Sequence, residues 1–140
     1  MVDESNSEPN GGGSPGLVLV TLGVANHPVA CVRTFAVAHE SGHTVAYIEF
    51  LRVGVLPFQP MNADAKRHEH MADLIAMRVL TESLPAVASD IIANLGQLTQ
   101  TLGPGGTMHP SGRERTELIR QLYHGQPFGR LFAALANRAI

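Results

Sequence analysis

The spacing of apolar positions changes several times along the chain, and each change marks an element. Leu17-Val18-Leu19-Val20-Thr21-Leu22 is a short β-branched run bounded by glycines, which predicts a strand, buried or at a sheet edge. Beyond it, Val29, Val32, Phe35, Ala36, Val45 and Ile48 recur at mixed three- and four-residue steps. That spacing predicts a long helix starting at Asn26-His27-Pro28, running to about Leu51 and ended by Gly54 and Pro57. A loop over 57–61 leads to a second helix, capped by Asn62 or Asp64 and reaching about Leu84. Pro85 opens a third, with Val87, Ile91, Leu95, Leu98 and Leu102 on its buried face and Gly103-Pro104-Gly105-Gly106 at its end. Ser111-Gly112-Arg113-Glu114 has the form of a capping box and starts a fourth helix through Leu118, Ile119 and Leu122. A short last helix carries Leu131, Phe132 and Leu135. The chain therefore reads as an α+β, mainly helical single domain over 17–140, with a short N-terminal strand or small sheet.

Ahead of it, residues 1–16 combine Asp3, Glu4 and Glu8 with Gly11-Gly12-Gly13-Ser14-Pro15-Gly16 and read as a flexible arm. They lack the basic start and apolar run of a secretory signal. The whole chain of 140 residues supports one modest core. Its hydrophobic share of 44% and charged share of 16% are those of a folded protein rather than a disordered one. A net charge of −2 without any basic stripe argues against nucleic acid as a partner. The longest apolar stretch, over 45–56, is broken by Glu49 and Arg52, so no membrane insertion is expected. A single cysteine, Cys31, excludes an internal disulfide framework, reads as a small core hydrophobe and suits a reducing cytoplasm.

Chemistry concentrates in the first long helix. His39 and His43 stand four residues apart, so their imidazoles project from one face, one turn apart, and can hold one zinc ion at about 2.0–2.1 Å each. Glu40, beside the first ligand, stands where a general base takes a proton from a polarised water. Gly42, without a side chain, leaves room for another segment to pack closely. Phe35-Ala36-Val37-Ala38 before the motif and Thr44-Val45-Ala46 after it place these ionisable groups in core-forming helix, where unpaired polar groups cost several kcal/mol. A catalytic zinc takes a third protein ligand and keeps one position open. Glu69 offers that ligand, and Asp73, at i+4 from it on an otherwise apolar helix, can accept the spare N–H of a ligand histidine. His68 and His70 flank Glu69 and are alternative ligands by residue type, but on a helix they project about 100° from it and are expected at the surface.

Ala38-His39-Glu40-Ser41-Gly42-His43, followed by Glu69 and then Ala72-Asp73, resembles the gluzincin metallopeptidases. It is most similar to the CAAX-prenyl-protease-like and membrane heat-shock zinc proteases in a compact form. His109-Pro110-Ser111-Gly112-Arg113-Glu114-Arg115 is similar to that family's C-terminal HP…R segment, and the strand at 17–22 lies where the family places its edge strand. The resemblance implies a zincin-type fold, with His39, His43 and Glu69 as zinc ligands and Glu40 as general base and acid. It also implies Asp73 and Arg115 in support of the ligands and His109 near the cleft, where it can stabilise an oxyanion.

The expected function is zinc-dependent hydrolysis of peptide bonds through a metal-activated water, on a peptide or protein that adds as a strand to the edge at 17–22. The rivals are a catalytically inactive zinc-binding interaction domain of the same fold and a plain helical interaction domain without metal. Oligomeric state is not legible in the sequence.

Overall fold

The computed structural model describes residues 1–3, 11–14, 17–52 and 63–136. Within them the chain is α+β and mainly helical. Three strands, β1 (Val2–Asp3), β2 (Gly11–Ser14) and β3 (Leu17–Thr21), precede seven helices. These are α1 (Leu22–Ala25), α2 (Ala30–Arg52), α3 (Ala63–Ser83), α4 (Pro85–Ala93), α5 (Leu95–Leu102), α6 (Gly112–Tyr123) and α7 (Phe128–Ala136).

The sheet has the order β1-β3-β2. β1 runs parallel to β3 with Val2 opposite Val20, and β2 runs antiparallel to it with Gly11 opposite Val20 and Ser14 opposite Leu17. The Met1 ammonium donates to the Val18 carbonyl at 2.9 Å, tying the chain start to the middle strand. Two expectations change here. β3 is the middle strand rather than an edge, and part of the segment read as a flexible arm is strand. Gly-Gly-Gly-Ser has little strand preference of its own; its conformation comes from pairing with β3 and from packing on α2. A Cβ on Gly11 would lie 2.6 Å from Glu40 Oε1, so any side chain at this position would press on the Glu40 carboxylate.

The helices follow their periodicity closely. α2 begins at Ala30, two residues beyond Pro28, and the Val29 amide donates to His27 Nδ1 at 3.1 Å. The loop at 57–61, the stop at Gly54 and Pro57 and the Asn62 cap lie outside the described residues. The third predicted helix is two: α4 ends and α5 begins at Asn94, whose side-chain amide donates to the Asp90 carbonyl at 2.8 Å. Such local bonds compete with the helical ladder, so the axis breaks although Ile91 and Leu98 remain buried on one face. The capping box of α6 is formed, with Glu114 N donating to Ser111 Oγ at 3.2 Å and Ser111 N to Glu114 Oε2 at 2.9 Å.

The main core joins Cys31, Val32 and Phe35 of α2 to Met77 and Leu80 of α3, Ile91 of α4, Leu98 of α5 and Ile119 of α6. A second cluster packs Phe128, Phe132 and Leu135 of α7 against Ala46, Met71 and Ile75. Between these clusters α2 and α3 pack at closest range. A Cβ on Gly42 would lie 2.6 Å from the Ala72 carbonyl oxygen, and Ala46, Ala72 and Ala76 beside it are fully buried. Small residues on both helices let the backbones meet, and this contact sets the separation of the side chains one turn away on each.

Candidate metal centre

On α2, His39 lies three residues before Gly42 and His43 directly after it; on α3, Glu69 and Asp73 stand in the same relation to Ala72. The close crossing therefore carries all four toward one point. His39 Nε2 and His43 Nε2 lie 3.0 Å apart, and each is 3.2 Å from an oxygen of Glu69, Oε2 for His39 and Oε1 for His43. By position and chemistry the three side chains could hold a metal ion. A tetrahedral ion with bonds of about 2.0–2.1 Å has ligand-to-ligand edges of about 3.3–3.4 Å, close to the separations found.

The backs of these ligands are occupied. His39 Nδ1 lies 2.8 Å from Asp73 Oδ1, and His43 Nδ1 lies 2.8 Å from His68 Nδ1. With the ring protons on the Nδ1 atoms, both Nε2 lone pairs face each other and a carboxylate. Three acceptors converging in this way repel unless a proton or a metal cation lies between them, and two imidazoles with one carboxylate are a donor set that suits a divalent ion.

Arg115 closes the site from α6. Its Nε and Nη2 donate to Asp73 Oδ2 and Oδ1, both at 2.7 Å, while Nη1 lies 3.4 Å from Glu69 Oε2. Nη2 also comes within 3.2 Å of His39 Nδ1. Asp73 is wholly buried, and burial alone would raise its pKa. The guanidinium and His39 outweigh that effect and hold it down at about 2. Burial likewise opposes charge at Glu69, yet hydrogen bonds from His39 and His43 keep its carboxyl well below the usual range. At His39 burial disfavours the imidazolium, but Asp73 and Glu69 hold its pKa up at about 9. The negative field that retains a proton there would also favour a bound cation.

Glu40 stands apart from the triad, its Oε1 4.0 Å from His39 Nε2. Its Oε2 is buried and has no hydrogen-bond partner among the described residues. Burial raises its pKa, against the pull of His39 and His43. A cavity of about 480 Å³ opens over the triad and Glu40, with Gly11 and Gly12 of β2 on one wall and His109 at its rim. His109 has a side chain 62% exposed, and its Nε2 is 3.7 Å from Glu69 Oε1. Val24, Val32, Phe35, Leu98 and Leu102 give the cavity an apolar part of its lining.

No known protein family, curated protein or solved structure matches the chain. The likeness to gluzincins thus stands on the motif residues alone, and function has to be argued from the site. No described helix is long and apolar enough to cross a membrane.

All seven sequence-selected residues, His39, Glu40, His43, Glu69, Asp73, His109 and Arg115, meet around this one cavity or directly behind it. His68 and His70 depart from expectation: both are half-buried rather than at the surface. Burial and the neighbouring His43 push His68 down to about 4, and burial lowers His70 as well. His68 carried no signal in the sequence, because its partner His43 lies 25 positions away on another helix. Gly11 was hidden by its glycine-rich surroundings.

Proposed function

We propose that the chain is a zinc-dependent metallopeptidase. The observation that carries this reading is one juxtaposition: a His39/His43/Glu69 donor set beside a buried, unpartnered Glu40 carboxylate oxygen, at the floor of an open cavity. Zinc suits two imidazoles and one carboxylate, and when bound it supplies Lewis-acid polarisation of water and of a peptide carbonyl.

The remaining work falls to the chain. Glu40 takes the proton of the attacking water on its carboxylate and returns it to the departing amine. Its raised pKa makes it a stronger base than a solvated glutamate. Asp73 holds His39 through Nδ1, and Arg115 holds Asp73 and balances its charge. His109, exposed at the rim, supplies a donor to the carbonyl oxygen as negative charge develops there. The apolar part of the cavity lining suits a peptide with a large apolar side chain near the scissile bond. β3 is covered on both sides, so strand addition would use the outer side of β2, whose Gly11 and Gly12 line the cavity.

The deciding experiment is Glu40→Gln. The amide cannot accept the water proton, so the variant should keep its fold and its zinc while losing peptide hydrolysis. A zinc-loaded Glu40→Gln protein that still cleaves peptides would sink the mechanism. A parent that takes up zinc but turns over no peptide would make the site that of a metal-binding interaction domain.

A further inference from the structure

The two ligand histidines are backed by different chemistry. His39 turns its Nδ1 to the Asp73 carboxylate, a partner that also carries charge. His43 turns its Nδ1 to a second imidazole, His68, with the nitrogens 2.8 Å apart and the ring planes within 16° of parallel. One proton fits between two nitrogens at that distance. If neutral His43 is to present the Nε2 lone pair, its proton sits on Nδ1 and His68 Nδ1 accepts it.

We propose that His68 is a positioning residue of the metal centre, holding His43 in the Nδ1–H tautomer with Nε2 turned to the ion. The inference rests on the zinc reading above and deepens it. His68 immediately precedes Glu69 on α3, so one turn of one helix supplies both the third ligand and the partner of the second. The Gly42–Ala72 contact brings that turn against α2, which fixes the His43–His68 pair and the His43–Glu69 pair together. A neutral acceptor also suits the place. Glu40, Glu69 and Asp73 already surround the two histidines, with Arg115 paired to Glu69 and Asp73, and a further carboxylate behind His43 would add to the negative charge there. His68 orients the ligand without adding charge.

The test is zinc affinity, measured by competition with a chelator on the parent, His68→Leu and His68→Asn, alongside the thermal stability of each zinc-free protein. Leucine keeps bulk and removes the acceptor; the asparagine side-chain oxygen can accept the same proton. His68→Leu should bind zinc about 10–100-fold more weakly, the usual effect of losing a partner behind a metal ligand, and His68→Asn should recover most of that loss. A merely structural histidine would lower zinc-free stability and leave affinity unmoved. Unchanged affinity in a folded His68→Leu protein overturns the proposal, as does an equal loss in the leucine and asparagine variants. Nitrogen NMR of the zinc-loaded parent reads the tautomer without any substitution: His43 should carry its proton on Nδ1, and a proton on Nε2 overturns the assignment. A parent that binds no zinc at all removes the metal reading itself, a result distinct from parental binding that is indifferent to His68.

Discussion

Arg115 on α6 grips Asp73 on α3 with two hydrogen bonds of 2.7 Å, in a place where the aspartate is wholly buried and the arginine nearly so. The pair is 42 residues apart in sequence, and Asp73 passes its hold on to His39 at 2.8 Å. Removing one partner leaves the other charge buried and uncompensated. Arg115→Met should therefore destabilise the zinc-free protein by about 3–5 kcal/mol in urea unfolding. The double variant Asp73→Leu/Arg115→Met should lose less than the sum of its two single changes, because neither charge is left alone. The pH dependence has a defined sign. Asp73 titrates near 3.8 when unfolded and near 2 when folded, so its contribution is present above 3.8 and disappears as pH falls through 2. Acid unfolding of Asp73→Asn should show a shallower slope over that window than the parent, and an identical slope would remove Asp73 from the account.

Metal content is the most direct measurement on Glu69. The parent should hold about one zinc per chain, and Glu69→Ala, left with two imidazoles, should hold much less under the same dialysis. Zinc should also stabilise: at a free concentration of 100 times Kd the gain is about 2.7 kcal/mol, reversed by chelation. An unaltered melting temperature on adding chelator to zinc-loaded protein would contradict a site at the α2–α3 crossing.

Gly42 links packing to the site. A methyl group there would press on the Ala72 carbonyl oxygen at 2.6 Å, a backbone atom that cannot turn aside. Gly42→Ala should force α2 and α3 apart, with an overpacking cost of about 1–3 kcal/mol. The same displacement separates Glu69 from His39 and His43, so zinc affinity should fall with stability. If stability drops while affinity holds, the crossing is not what sets the triad.

His109 stands at the cavity rim, 3.7 Å from Glu69 Oε1, and does not share the burial of the ligands. A donor used only in the transition state affects kcat and not KM. His109→Ala should lower kcat by about 10²–10³, near 2.7–4 kcal/mol, with zinc content unchanged. Steady-state kinetics on a cleaved peptide, with zinc assayed in the same preparation, make the comparison. A raised KM at constant kcat would move His109 to substrate binding.

Much of this protein was legible in its sequence because the relevant interactions are local. Apolar spacing reports which helix face meets the core, and the Ser111–Glu114 box is a contact between residues three apart. The pairs His39/His43 and Glu69/Asp73 share a face at four-residue spacing, so their convergence needed only one further fact, that α2 meets α3. That fact, and everything built on pairing between distant segments, was decided by the tertiary structure. Gly11–Ser14 is a strand because β3 and α2 lie beside it, not through any preference of glycine. β3 lost its free edge to residues from the start of the chain. His68 became the partner of His43 only when the Gly42–Ala72 contact brought the helices together, and nothing in its sequence neighbourhood distinguishes it from the surface histidine it resembles.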